Sequence, residues 1–449
     1  MRRAALAGTL LLALSGCTVA GDRAEAGVEQ VVVGYQSKTI NTVTAGTLLR
    51  AKGFLEQRLG GKYDVVWQDY DTGAPITAQM MAGKIDIGSM GDYPLLINGA
   101  RGQQSEQTRT RMIAVTGYNR RGALNTVVVA RDSPVATLSG LRGKVVSTSV
   151  GSAAHGLFVQ ALRKAGLTDT DVKVENQQPQ VGASALQSGN VDALSQFVAW
   201  PGLLVHRGEA KVLYDGGALE VPTLHGTVVR QQYADQRPDV VKAFLAAQQD
   251  ATDFLWRHPL EAAEIVAKAT GLPAEVVYLY NGANGIATFD LPIRPEFRAA
   301  LEQDVPFLKS IGVLQGIDLD AFVDDSLVPA GGGTPGAVLS GTDAICGTAV
   351  TDPALAGELW LAGENTTIAT TDPTCLVKAV RAAKASGRQI RAAYVPDATT
   401  GTRWFADKST WVQDGARFLP FVTEAAAKTF STGHPGSRVL SYDQLVNES

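Results

Sequence analysis

Lys84-Ile85-Asp86-Ile87-Gly88-Ser89-Met90-Gly91-Asp92-Tyr93-Pro94 reads as a strand that runs into a glycine-rich loop. Ile85 and Ile87 alternate with polar positions, two glycines and an aspartate then replace side-chain bulk with accessible backbone, and Pro94 opens a new apolar run. Such a loop brings N–H groups close to a small molecule, so it is expected to form one wall of a ligand cleft. A second stretch repeats the logic. The strand 144–150 ends in Gly151-Ser152, and a helical pattern covers 153–165. Ser152 is expected to cap that helix, whose free N–H groups and positive dipole end favour an anion. Two such loops imply two α/β units that face each other.

Outward from these loops, β-rich runs alternate with helical patterns. The order is strand 31–35, helix 45–59 ending at Gly60-Gly61, strand 63–67, helix 74–82 and strand 85–88. Strands and helices alternating at these lengths predict a mostly parallel sheet covered on both faces, with ligands beyond the carboxyl ends of the strands. Gln36, Ser37 and Gly91-Asp92 stand at such ends. The second unit, about 131–222, contains the Gly151-Ser152 turn, an amphipathic helix 182–188, a strand 191–194 and the segment that ends in Trp200-Pro201. A strand 225–230 and helices 238–256, 259–270, 273–280 and 294–311 follow. Polar punctuation on both sides of the second unit predicts that the chain leaves one lobe and returns to it. The expected fold is a two-lobed α/β module at 31–328 with a hinge and a cleft, lobe I at 31–130 and 223–328 and lobe II at 131–222.

At the N-terminus, Arg2 and Arg3 precede an apolar run over 4–14 that is too short and wrongly flanked for a membrane span. Residues 1–16 are expected to be a secretory leader and 17–30 a polar tether. The 40 basic and 44 acidic residues give a net charge of -4, which leaves no basic field for nucleic acid and no polybasic membrane patch. No Walker loop, paired-acid motif or Gly-x-Ser-x-Gly elbow occurs, so no catalytic centre is expected.

Leu14-Ser15-Gly16-Cys17 resembles the bacterial lipobox, which implies Cys17 as the lipidated N-terminus and membrane attachment through that anchor alone. Residues 31 to about 328 resemble the periplasmic substrate-binding proteins of ABC importers, in the nitrate, sulfonate and taurine group. The matching pieces are Gly34-Tyr35-Gln36, the stretch 82–94, Leu138-Ser139-Gly140-Leu141-Arg142-Gly143-Lys144, Gly151-Ser152-Ala153-Ala154-His155 and Val191-Asp192-Ala193. The resemblance implies a type II periplasmic-binding-protein fold, a small anion or zwitterion as ligand, a permease with its ATPase as partner, and a monomer. Carried over residue by residue, it points to Gln36, Ser37, Gly91, Asp92, Ser152, His155 and Trp200. Sulfonate-type members have Trp directly after Val-Asp-Ala, whereas Leu194 stands here and Trp200 comes later. His155, in the first turn of a helix, has two readings: a neutral hydrogen-bonding or packing group, since a cationic imidazole there opposes the dipole, or a group that recognises charge. The same fold serves enzymes that build the thiamin pyrimidine, but those carry a cysteine cluster, and residues 31–328 hold no Cys.

Pro329-Ala330-Gly331-Gly332-Gly333-Thr334-Pro335-Gly336 is a linker by composition, taken as 329–339, and a small α+β domain is expected at 340–449. That domain resembles the NosL family of copper-binding lipoproteins in Cys346-Gly347, Tyr394-Val395-Pro396-Asp397, Trp404, the helix 423–430 and Gly436-Ser437-Arg438-Val439-Leu440. The family pattern has Met after Cys-Gly; here Thr348 follows, and no Met occurs after Met112. Two readings of Cys346 and Cys375 stand side by side. They form a disulfide in an oxidising compartment, or they hold Cu(I) as thiolates with or without His434. No other cofactor is expected, and a copper-delivery protein is the alternative to the importer component.

Overall fold

The computed structural model describes residues 28–328 and 339–447. The expected leader, the lipidation position Cys17, most of the tether and all but the last residue of the linker lie outside these residues.

The first lobe is built on a six-stranded sheet in the order β11-β4-β10-β3-β1-β2. Its strands are β1 (Glu29–Tyr35), β2 (Tyr63–Asp69), β3 (Ile87–Gly91), β4 (Thr110–Asn119), β10 (Thr223–Arg230) and β11 (Thr288–Phe289). The second lobe has the order β7-β6-β8-β5-β9, from β5 (Asn125–Ala130), β6 (Val145–Thr148), β7 (Lys173–Asn176), β8 (Ala193–Phe197) and β9 (Ala210–Asp215). Both sheets are mixed rather than mostly parallel: β1 is parallel to β2 and β3, but β10 runs antiparallel to β3 and β4. The crossing between lobes explains this. The chain leaves the first sheet at the end of β4 and re-enters at the same edge in β10, so the returning strand must run backwards. For the same reason β5 lies in the second sheet, antiparallel to β8 and β9, and the first lobe ends near Asn119, not at residue 130.

Helices cover the sheets. In chain order they are α1 (Thr47–Lys52), α2 (Phe54–Leu59), α3 (Gly73–Met81), α4 (Asp92–Gly102), α5 (Ala153–Lys164), α6 (Pro179–Gln187), α7 (Trp200–His206), α8 (Gln231–Gln236), α9 (Pro238–Arg257), α10 (Pro259–Thr270), α11 (Ala274–Asn281), α12 (Pro295–Ser310) and α13 (Leu319–Phe322). The single helix expected over 45–59 is two, because Gly53 adopts φ 64°, a left-handed conformation that ends α1 and turns the chain into α2. Among the described residues no helix is long and apolar enough to cross a membrane.

The C-terminal domain opens with a hairpin, β12 (Thr342–Asp343) and β13 (Thr348–Ala349), and then uses one unit twice. In the first copy β14 (Gly357–Leu361) pairs with β15 (Ile368–Thr370), α14 (Pro373–Ala385) crosses over, and β16 (Ile390–Pro396) returns to the other side of β14, extended by β17 (Arg403–Phe405). In the second, β18 (Thr410–Asp414) pairs with β19 (Arg417–Phe421), α15 (Glu424–Gly433) crosses, and β20 (Arg438–Leu440) returns to the far side of β18. A last helix, α16 (Tyr442–Asn447), follows. The β18–β19 hairpin is absent from the sequence reading although Asp414-Gly415, the strongest dipeptide signal for a hairpin, sits at its turn, with Gly415 at φ 59°.

Cys346 and Cys375 are joined in a disulfide with Cα atoms 6.0 Å apart, tying the first hairpin to the first turn of α14. Closing a loop of 29 residues stabilises a domain by roughly 3 kcal/mol in the loop-entropy account. The bonded sulfurs are not thiolates and offer Cu(I) no soft ligand. Asp343 lies beside them, but its carboxylate accepts the N–H groups of Ile345, Cys346 and Thr371. His434 is stacked on Phe430 in an exposed turn and is not part of this group.

Candidate functional site

The carboxyl edges of the two sheets face each other. On the first, Gln36 follows β1 and its Nε2 donates to Ser89 O on β3 (3.1 Å), which clips two strand ends together. Ser37 N donates to Asp69 Oδ1 at the end of β2 (2.8 Å). Gly91 closes β3 opposite His225 of β10, and the imidazole lies so near that a Cβ on Gly91 would stand 3.1 Å from Nε2. His225 is fully enclosed and held neutral, its pKa pushed down to about 3 by burial, and its Nδ1 is hydrogen-bonded to Asn41 Nδ2 at 2.6 Å.

Asp92 stands where the sequence places it, yet it does not turn a free carboxylate into the cleft. Oδ1 accepts the Tyr93 N–H at 2.8 Å and Oδ2 accepts the Leu224 N–H at 3.2 Å, so it ties α4 to β10. Burial pushes it up to about 7 against the opposing pull of those N–H groups. Asp304 of α12 is raised too, by its own burial and then by the charge of Asp92, and it is hydrogen-bonded to Tyr93 Oη. A carboxyl with a raised folded pKa contributes stability that is fully present below its unfolded pKa of about 3.9 and lost as pH rises through the folded value. We therefore expect the unfolding midpoint to fall between about pH 4 and pH 7, and Asp304→Asn, which cannot ionise, to flatten that fall. An unchanged slope in the variant, followed by thermal unfolding at a series of pH values, would rule this pair out as its source.

On the second sheet, Ser152 caps α5, its Oγ accepting the His155 N–H at 3.4 Å. His155 is buried, its pKa lowered by desolvation, and its ring packs edge-on against Phe307 of α12 at 5.4 Å, so this imidazole is neutral as well. Ser149 Oγ accepts from Gln196 Nε2 (2.9 Å) and donates to Gln177 O (3.0 Å). Trp200 opens α7, and Lys38 Nζ stands 5.8 Å from its ring.

The lobes are shut over these groups. Ala199 N donates to Lys38 O across the gap at 3.3 Å. Gly156, one turn into α5, lies against Tyr93 of α4, where a Cβ would sit 2.1 Å from Oη. Gln36, Asp92, Ser152 and His155 are all under one-tenth exposed. The groups gathered at these edges are chiefly amides, hydroxyls and neutral imidazoles, with the half-buried Lys38 ammonium beside Trp200. Asn41 Oδ1, Ser89 Oγ, Asn125 Oδ1, Thr148 Oγ1 and Gln196 Oε1 are buried without a partner among the described residues. Leaving such groups unpaired costs about 1–3 kcal/mol each. The sequence reading missed Asn41, Asn125, Ser149, Gln196 and His225. The signal available for the last two was a large polar side chain within a strand, Gln196 beside Phe197 and His225 beside Leu224.

Residues 64–262 match the family model described as NMT1/THI5 like. The putative aliphatic sulfonates-binding protein of Escherichia coli (strain K12) is 29% identical over 325 residues, which span 72% of this chain and 92% of that protein. The taurine-binding periplasmic protein of the same strain is 26% identical over 257 residues, 54% of this chain and 76% of its own length. The alkanesulfonate-binding protein SsuA from Xanthomonas axonopodis pv. citri, solved bound to MOPS, superimposes with a TM-score of 0.58 at 23% identity, over 67% of this chain and 99% of that one. The first module thus has the type II periplasmic-binding-protein fold. These relatives are binding proteins rather than enzymes, and together they support the substrate-binding protein family.

Proposed function

We propose that this chain is the solute-binding component of an ABC importer, capturing a small sulfonate or a taurine-like zwitterion between its lobes and presenting it to a permease and its ATPase. It works outside the cytoplasm, held at the membrane by a lipid on Cys17, and acts as a monomer. The observation that carries this is the pair of facing sheet edges, shut on each other and lined chiefly by neutral hydrogen-bonding groups, with the capped N-terminus of α5 among them. Uncharged amide, hydroxyl and backbone groups suit an anion that arrives and must leave again, because no buried counter-charge traps it. The ligand set proposed is Gln36, Ser37, Gly91, Ser152, His155 and Trp200, joined by Asn41 and Gln196; Asp92 positions the loop. The printed names of the relatives support sulfonate and taurine as the class.

The test is thermal unfolding of the protein against nitrate, sulfate, taurine, MOPS and short alkanesulfonates. A ligand at 100 times its Kd adds about 2.7 kcal/mol, which is read as a raised midpoint. Ser152→Ala is expected to lower the unliganded stability by about 1 kcal/mol through the lost cap and to shrink the ligand-induced rise. If no member of the panel moves the midpoint, the sulfonate reading falls.

The motif order from Cys346-Gly347 to residues 436–440 supports a NosL-like reading of the last domain, as an accessory module to the importer component. The copper alternative needs the Cys346–Cys375 bond reduced first.

A further inference from the structure

The C-terminal domain is seated on both lobes at once. On one side, Arg391 of β16 pairs with Glu264 of α10 and Glu275 of α11, and Tyr394 Oη donates to Glu275 O at 2.9 Å. Tyr278 of α11 packs on Trp360 and Tyr394 with ring centroids 5.5 Å apart in each case, and its Oη donates to Glu358 Oε1 at 2.6 Å. α10 packs on α1 and α9 of the first lobe, and α11 lies between α10 and α7 of the second lobe, whose Gly202 N–H donates to Tyr280 Oη at 3.2 Å. On the other side, Thr400 Oγ1 donates to Asp215 Oδ2 at the end of β9 (2.6 Å), and His206 of α7 lies 5.3 Å from the Phe405 ring. Gly217 is pressed against Thr402, whose Oγ1 would stand 2.7 Å from a Cβ there.

The two seats differ in kind. The first is a stack of aromatic rings with an arginine held by two carboxylates. The second is the Asp215 carboxylate taking the hydroxyls of Thr400 and Thr402, with one ring contact beside it, bordered by a cavity of about 400 Å³ lined by Leu138, Leu213, Ala218, Val422 and Ala425. A body that touches two others fixes the angle between them, and the weaker seat is where it lets go first.

We propose that the C-terminal domain is a built-in clasp, which holds the two lobes in the shut arrangement and must release Asp215 and Gly217 before the second lobe can swing open. This rests on reading the chain as a capture protein, because lobes that stay fixed need no clasp. It gives the appended domain a mechanical role, in which the loss of one seat sets how readily ligand enters.

Gly217→Leu drives a wedge into the second seat. The full chain carrying Cys17→Ser is spin-labelled at Lys84→Cys in the first lobe and Val181→Cys in the second, both exposed, while Cys346 and Cys375 stay bonded and unlabelled. Pulsed electron paramagnetic resonance then reads the distance between lobes with no ligand needed. The parent chain is expected to give one narrow distribution, and Gly217→Leu a broader one with longer distances. Thr400→Val with Thr402→Val, a milder change that takes both hydroxyls off Asp215 without adding bulk, is expected to shift it in the same direction and decides the matter if the wedge does not fold. Unmoved distances in folded variants, or a parent already spread over open and shut distances, overturn the clasp whatever the protein binds. A panel with no ligand alongside distances that still respond to the wedge would sink the sulfonate reading and leave the clasp standing.

Discussion

Arg403→Met is expected to cost the protein about 3–5 kcal/mol, because it strands a charge in the interior. Arg403 is 5% exposed and Glu358 is fully enclosed, and the guanidinium Nη2 donates to Glu358 Oε2 at 2.7 Å. The other carboxylate oxygen takes the hydroxyls of Tyr278 and Thr367, so every partner of this glutamate is fixed by packing. With the arginine gone, Glu358 must stay buried and unpaired or pull water into the domain. Removing both charges together, Arg403→Met with Glu358→Leu, is expected to hurt less than the single change, since it leaves no lone charge behind. Urea unfolding of the three proteins checks this. A single variant within about 1 kcal/mol of the parent would mean that the site relaxes to let solvent reach the carboxylate.

The second large effect falls on ligand binding. Gly156→Ala adds one methyl group to α5, a change that in an open helix would gain about 1 kcal/mol. Here that methyl meets the ring and hydroxyl of Tyr93, both within 2.4 Å of where it must go, and Tyr93 is 3% exposed with nowhere to turn. Overpacking of this kind typically costs 1–3 kcal/mol, and only the shut arrangement bears it, since the two residues belong to different lobes. Affinity for whichever sulfonate raises the midpoint is therefore expected to drop roughly 5- to 150-fold. Adding Tyr93→Leu, which clears the hydroxyl, is expected to restore part of it. Calorimetric titration giving equal affinity for Gly156→Ala and the parent would show that capture does not pass through this contact.

Much of this architecture was legible in the chain because each signal was local. A glycine-rich strand end and a serine before a helical run state their roles within a few residues, whereas Cys346 and Cys375, 29 residues apart, left a disulfide and a metal pair both readable until the fold joined them. The helix cap at Ser152 followed from residue type and position alone, whereas His155 was legible only as one of two alternatives until its burial against Phe307 lowered its pKa. Asp92 shows the limit. Its neighbours in sequence suit an exposed turn and a buried acceptor equally well, and only the return of β10, some 130 residues later, supplies the Leu224 N–H that claims it. The mixed sheets were hidden for the same reason, since strand direction is set by where the chain crosses between lobes. Gly156 and Gly217 read as unremarkable small residues, and their meaning comes wholly from Tyr93 and Thr402 on other elements.

The apolar core that runs from Ile40 and Val128 through Leu203 to Leu260, Val277 and Tyr278 also includes Trp360, Tyr394, Trp404 and Phe405 of the last domain. The final layer of the first module is therefore encoded by the end of the chain. During synthesis the binding module is complete in sequence while one apolar flank is still uncovered, and it stays so until the last domain arrives. A chain cut at residue 328 would carry that bare flank permanently.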